Sequence, residues 1–258
     1  AAQAAQTTQA QATQGQILGT VVDFSAGVPS ATALKNAGHL GAIRYVSERR
    51  PGAEWMLGKP VTLEETRNMA NENLQTASVY QFGRAETADW KRGAAGASEH
   101  APKAIALHFA AGGPTYRPVY VAIDDNPTRD EYVNQIRPYL ENFKVALAAV
   151  SLQMGVYGNY QTIEWAIEDG LGEFYWQHDW GSQGKLHPRA HVHQKAGYKA
   201  TIDGIEVDVN NVYAADWGQW VPGNVAIPPN TDDAPTANAN ASTDGVSTLI
   251  RALGTMSS

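Results

Sequence analysis

Apolar positions along this chain alternate between two textures: short runs of strand length, and longer stretches in which they recur every three or four residues. The first run, Ile17-Leu-Gly-Thr-Val-Val-Asp23-Phe-Ser, reads as a strand, and Pro29 to Gly38 reads as a helix closed by a C-terminal glycine. His39 to Ser47 is a second strand. Thr62-Leu-Glu-Glu65 is a capping box, in which the Thr62 hydroxyl takes an orphan amide while Glu65 reaches back, and the helix it opens runs to about Asn73. Leu74 to Gly83 makes a third strand, and Ala94 to Gly112 an Ala-rich helix. The fourth strand, Arg117 to Ile123, stops on the acids Asp124 and Asp125, because Asp-Asn-Pro is turn chemistry. The spacing of Tyr132, Ile136, Tyr139, Leu140, Phe143 and Leu147 predicts a helix over 129–154 that Pro138 should bend. Gln153 to Gly158, Glu173 to Trp180, His191 to Lys195 and Ile205 to Asn210 complete eight strands, with a helix over 160–171. Strands alternating with helices argue for parallel βα units, and eight of them make an α/β fold, a single (β/α)8-type TIM barrel over 17–221. Its later connections are too short and glycine-rich for full helices, so the second half should be irregular.

The two ends depart from this pattern. Residues 1–16 are almost wholly Ala, Gln and Thr with almost nothing to bury, which predicts a disordered tether; residues 222–258 predict a Pro/Asn/Ala-rich linker and a short C-terminal helix. The missing initiator Met and the Ala/Gln/Thr spacer fit a cleaved export signal, hence a secreted or envelope-associated protein, although a trimmed chain fits equally. Among 258 residues, a net charge of -7 gives no basic excess for nucleic acid, no apolar run is long enough for a transmembrane segment, and Cys 0 excludes disulfides and thiol chemistry.

Candidate chemistry lies where strands end, since ligands of such barrels gather beyond the carboxyl ends. Asp23, Asp124, Asp125 and Asp208 supply four acids from the first, fourth and eighth strands. Crowded carboxylates push at least one pKa upward, which a proton donor needs. An alternative is that Asp23 and Asp208 pair with Arg44 and merely close the barrel. His178, His187, His191 and His193 cluster around strands six and seven without a fixed ligand spacing, so no metal or other cofactor is expected. Trp176 and Trp180 are either a sugar-stacking wall or core.

The order of Val-Val-Asp23-Phe-Ser, Arg44-Tyr45, Val79-Tyr-Gln81, Tyr120-Val-Ala-Ile-Asp124-Asp125, Gly155-Val-Tyr157, Tyr175-Trp176-Gln, Val192-His-Gln194 and Glu206-Val-Asp208-Val-Asn resembles the exported glycoside-hydrolase-like barrels of actinobacteria, a former domain of unknown function related to the lysozymes of glycoside hydrolase family 25. The resemblance implies a protein acting on cell-envelope polysaccharide or peptidoglycan by carboxylate chemistry. Asp124, Asp23, Asp208 and Asp125 would be catalytic, and Arg44, Tyr45, Gln81, Asn126, Tyr157, Trp176, His178 and Gln194 would bind substrate. In the lysozymes the fourth strand ends in Asp-x-Glu. Here Asn126 stands at the position of that Glu, and an amide donates no catalytic proton. Either a neighbouring Asp takes over, or the protein binds glycan or scaffolds the envelope without cleaving.

Overall fold

The computed structural model describes residues 15–223, and their eight strands close into one barrel in chain order. The strands are β1 (Gly19–Asp23), β2 (Gly41–Tyr45), β3 (Gln75–Tyr80), β4 (Pro118–Ala122), β5 (Gln153–Gly158), β6 (Phe174–His178), β7 (Val192–Ile202) and β8 (Ile205–Val212). The helices are α1 (Ala31–Asn36), α2 (Leu63–Asn71), α3 (Gly93–Ala110), α4 (Arg129–Glu131), α5 (Arg137–Ala148) and α6 (Tyr160–Glu168). The expected tether, the C-terminal linker and its helix lie outside the described residues, apart from Gly15, Gln16, Pro222 and Gly223.

Strands β1 to β7 run parallel, but β8 runs antiparallel to both β7 and β1. This corrects the expectation of eight parallel βα units. The reversal comes from Asp203-Gly204, whose φ values of 50° and 73° form a two-residue turn of the kind that joins hairpin strands. The irregular second half is real: β6 to β7 has no helix, and β7 passes straight into β8.

Side-chain caps fix where helices begin. Ser30, Thr62 and Asn159 accept amide hydrogens at the starts of α1, α2 and α6. At α2 only half of the expected capping box forms, because Glu65 turns to Arg44. The bend anticipated at Pro138 is a widened turn over Tyr132–Ile136, where the Arg137 amide reaches back five residues to the Tyr132 carbonyl. Proline lacks an amide hydrogen, and this wider turn absorbs the missing bond.

Period-two alternation divides every strand. Val21, Ile43, Ala77, Val79, Tyr120, Trp176, Val192 and Val212 fill the barrel interior, whereas Val22, Ala42, Val119, Val121 and Val156 face the surrounding layer. The N-terminal end is stoppered: the Tyr120 hydroxyl donates to the Trp217 carbonyl at 2.7 Å, and Arg117 pairs with Asp216 at 3.0 Å. β2 and β3 approach so closely at Gly41 that a Cβ there would sit 1.9 Å from the Gln75 carbonyl oxygen. Gly41→Ala should therefore destabilise the fold by roughly 3 kcal/mol or more, read as a lowered thermal midpoint.

Candidate active site at the barrel mouth

The alternation that builds the core also selects what faces the mouth. Asp23 has the parity of Val21, Tyr45 that of Ile43, and Asp124 that of Tyr120; Asp208 and Asn210 have that of Val212. Because β8 is antiparallel, Asp208 comes from its first half and lies directly opposite Asp23 in register.

Asp23 is the most constrained of these acids. It is 3% exposed, and its Oδ2 accepts from Asn210 Nδ2 at 2.8 Å and from Gln194 Nε2 at 3.0 Å. Neither amide can flip. The Trp176 indole, which only donates, bonds Asn210 Oδ1 at 2.8 Å, and the Tyr157 hydroxyl donates to Gln194 Oε1 at 2.6 Å. Burial, and next the charge of Asp208, push the Asp23 carboxyl up to about 7 against the pull of the two amides. At neutral pH it therefore exchanges a proton readily, and its Oδ1 has no donor among the described residues.

Asp124 stands exposed at the tip of β4, where its Oδ2 accepts from Gln81 Nε2 at 3.3 Å. Burial raises the Asp208 carboxyl above the ordinary range, and the Tyr45 and Tyr157 phenols are likewise pushed up by burial and by the acids around them. His178 is buried and neutral: Nε2 donates to the Ile123 carbonyl at 3.2 Å, and Nδ1 accepts from the Trp180 amide at 3.1 Å. Desolvation lowers its pKa, so it supports the β4 tip without carrying charge.

Several expected site residues are elsewhere. Arg44 has outward parity; it is fully buried, bonded to Glu65 at 2.5 and 3.0 Å and to the Phe24 and Gly58 carbonyls. It neither reaches the mouth nor pairs with Asp23 or Asp208. Asp125 also points outward, accepting from the Trp90 indole at 2.8 Å. Trp176 is 2% exposed and belongs to the core, so of the expected stacking pair Trp180, at 60% exposure, alone presents a ring to solvent. With Asp125, Asn126 and Trp90 it borders a groove of about 180 Å³ beside the mouth. Asn126 lies on that rim, its Oδ1 accepting from Asn159 Nδ2 at 3.1 Å. The other histidines serve separate partners: His187 bonds Glu164, His193 bonds Asp179, and His191 accepts from the Tyr175 amide. Among the described residues no three His, Asp or Glu side chains gather to hold a metal.

Two residues escaped the sequence reading. Asn210 was detectable, since it follows Asp208 at period two on one strand face. Lys59 was not, because it lies in an irregular segment before Pro60. It is 3% exposed, donates to the Gln81 carbonyl at 3.0 Å, and sits 4.1 Å from the Tyr45 ring centroid.

Residues 32–212 match the family described as Rv2525c-like, glycoside hydrolase-like domain. A Mycobacterium tuberculosis protein named "Putative peptidoglycan hydrolase Rv2525c" is 48% identical over 204 residues, covering 79% of this chain and 84% of that protein. The crystal structure of the Tat-secreted M. tuberculosis Rv2525c with L-tartrate covers 79% of this chain and 100% of that one, at 48% identity and a TM-score of 0.76. An uncharacterized B. stearothermophilus protein shares the fold at 17% identity and a TM-score of 0.54, covering 75% of this chain and 95% of its own.

Proposed function

This chain belongs to the Rv2525c-like family of glycoside hydrolase-like domains, and from that premise we propose that it cleaves glycosidic bonds of cell-envelope glycan, with peptidoglycan as the expected substrate. The observation that carries this reading is the clamped Asp23 carboxyl, held near neutrality beside an open Asp124. Glycoside hydrolysis needs one carboxyl that gives a proton to the leaving oxygen and a second, ionised one that serves the anomeric carbon, directly or through water. Asp23 takes the first role. The C–O bond breaks as the proton leaves Asp23 for the departing sugar. Asp124 takes the second role, and Asp208 keeps the Asp23 pKa high. Gln81, Tyr45 and Tyr157 line the approach, and Trp180 offers an exposed face against which a sugar ring can stack. The Tat-secreted relative supports placing the protein outside the cytoplasmic membrane, and no helix of the described residues is long and apolar enough to cross one.

The test is release of reducing ends from peptidoglycan and from soluble β-1,4 N-acetylhexosamine polymers, across acid to alkaline pH. Wild-type protein should release them, and Asp124→Asn should abolish release while glycan affinity falls only modestly. A wild-type protein without turnover on any of these polymers ends the hydrolytic reading for them.

One observation favours a second reading, a non-catalytic glycan binder or envelope scaffold: Asn126 occupies the position at which the lysozyme pattern has its acid. Under that reading wild-type protein binds without cleaving, and Trp180→Ala weakens binding more than Asp124→Asn does, as titration calorimetry would show. Trp176 is no probe of this question, because its truncation would disturb the core.

A further inference from the structure

Lys59 carries a charge that neither the acid nor the base role uses. It is buried, yet no carboxylate among the described residues pairs with it; its ammonium has the Gln81 carbonyl at 3.0 Å and the face of Tyr45 at 4.1 Å. An enclosed cation without a counterion is costly, so its placement calls for a compensating charge nearby. The groups acting on it are Arg50 and Arg44, which oppose its charge, and Asp89 and Asp124, which favour it. Asp89 is already committed: its two oxygens accept the Phe82 and Gly83 amides, and His100 lies 3.4 Å away. Asp89 acts on Lys59 more strongly than Asp124 does, but it is fixed by those loop amides, whereas a continuous hydrogen-bonded path leads from Lys59 to Asp124. The Gln81 carbonyl, also bonded by Ser47 at 2.8 Å, holds Lys59, and the Gln81 side chain donates to Asp124 at 3.3 Å.

We propose that Lys59 is a positioning residue for Asp124, fixing the β3 tip from which the Gln81 side chain holds the carboxylate and setting a buried positive charge behind it. The assignment deepens the glycosidase reading and rests on it for the catalytic consequence only. In the mouth the Asp124 charge also acts on His178, Tyr157 and Tyr45, and outside it on the adjacent Asp125; His178 is neutral and the tyrosines stay protonated. That leaves Lys59 as the enclosed cation of this cluster, for Lys199 is half exposed on the hairpin and bound to Glu206.

The coupling is reciprocal, so it is readable from Lys59 without any turnover. Burial, followed by the Arg50 charge, brings the Lys59 ammonium down to about 8. In the full chain, the lysine side-chain resonances of Lys59 should titrate near that value, and Asp124→Asn, at an exposed position that leaves the fold intact, should lower the midpoint by about half a pH unit or more. An unchanged midpoint overturns the proposal. In the second arm, Lys59→Met should lower kcat on peptidoglycan by about tenfold to a hundredfold with little change in KM, and Lys59→Arg should recover part of it. Folded Lys59→Met with wild-type turnover overturns the proposal as well. If wild-type protein cleaves nothing, the glycosidase reading fails while the titration arm still decides the role of Lys59.

Discussion

Asp23→Asn is expected to eliminate glycan cleavage, by about a thousandfold or more, while leaving the protein folded and, at alkaline pH, more stable than wild type. Asparagine reproduces the shape of a protonated aspartic acid: its oxygen still accepts from Asn210 and Gln194, but it has no proton to surrender. The stability gain follows from linkage. The folded carboxyl titrates near 7 and an unfolded one near 3.8, so between these values the native state holds a proton that the unfolded chain has lost. The stability from that proton is complete below the unfolded value and drains away as pH rises through the folded one. The asparagine variant escapes this loss, which amounts to a few kcal/mol at most, on the order of 1.4 kcal/mol for each tenfold difference in proton affinity between the two states. Chemical denaturation of both proteins at a pH near the unfolded value and again above the folded one measures it, and a variant whose stability relative to wild type does not rise between the two would contradict the raised pKa. Turnover by wild-type protein should decline as pH climbs past about 7, and Asp208→Asn should move that decline to lower pH, because the Asp208 charge is the second cause raising Asp23.

Glu65→Leu should cost about 3–5 kcal/mol, enough to lower the thermal midpoint by on the order of 10 °C, with no direct effect on the mouth. The reason is the partner left behind. Arg44 is fully buried between the barrel and α2, and removing Glu65 strands its guanidinium with only the Phe24 and Gly58 carbonyls. Replacing Arg44 and Glu65 together by apolar residues of similar volume should recover much of the loss, since the penalty is that of an unpaired charge. Differential scanning calorimetry of the single and double variants separates the two cases, and equal destabilisation in both would refute the buried-pair account.

Much of this architecture was legible in the sequence because burial imposes a period. The strands, the helix over 160–171 and the effect of Pro138 all follow from spacing and proline chemistry. The same period, pursued one step further, places Arg44 and Asp125 outside the barrel: Arg44 is out of phase with the core residue Ile43, and Asp125 with the core residue Ala122 and with Asp124, which shares the phase of Ala122. Trp176 yields to the same argument, lying in phase with Phe174 on a strand wholly buried in the barrel. The direction of β8 was also written in the chain, in an Asp-Gly pair flanked by alternating residues, but a count of eight strands invited the parallel repeat. Lys59 had no local signature. Its burial depends on the β3 tip and on Tyr45, residues of other elements brought to it only by the closed fold.

The register of Asp23 against Asp208 has a kinetic consequence. The carboxyl belongs to the first strand and the amide that clamps it to the last, 187 residues later, so one of the longest loop closures in the domain must finish before this group meets its partners. Gln194, Asp208 and Asn210 share one hairpin, so their contacts with one another are local in the chain, whereas those of Asp23 wait for the ring to shut. An N-terminal fragment emerging from the ribosome thus holds an ordinary aspartate, ionised and inert, and the unusual acid comes into being with the final seam. A spectroscopic probe of that one carboxyl would time the closure of the whole barrel.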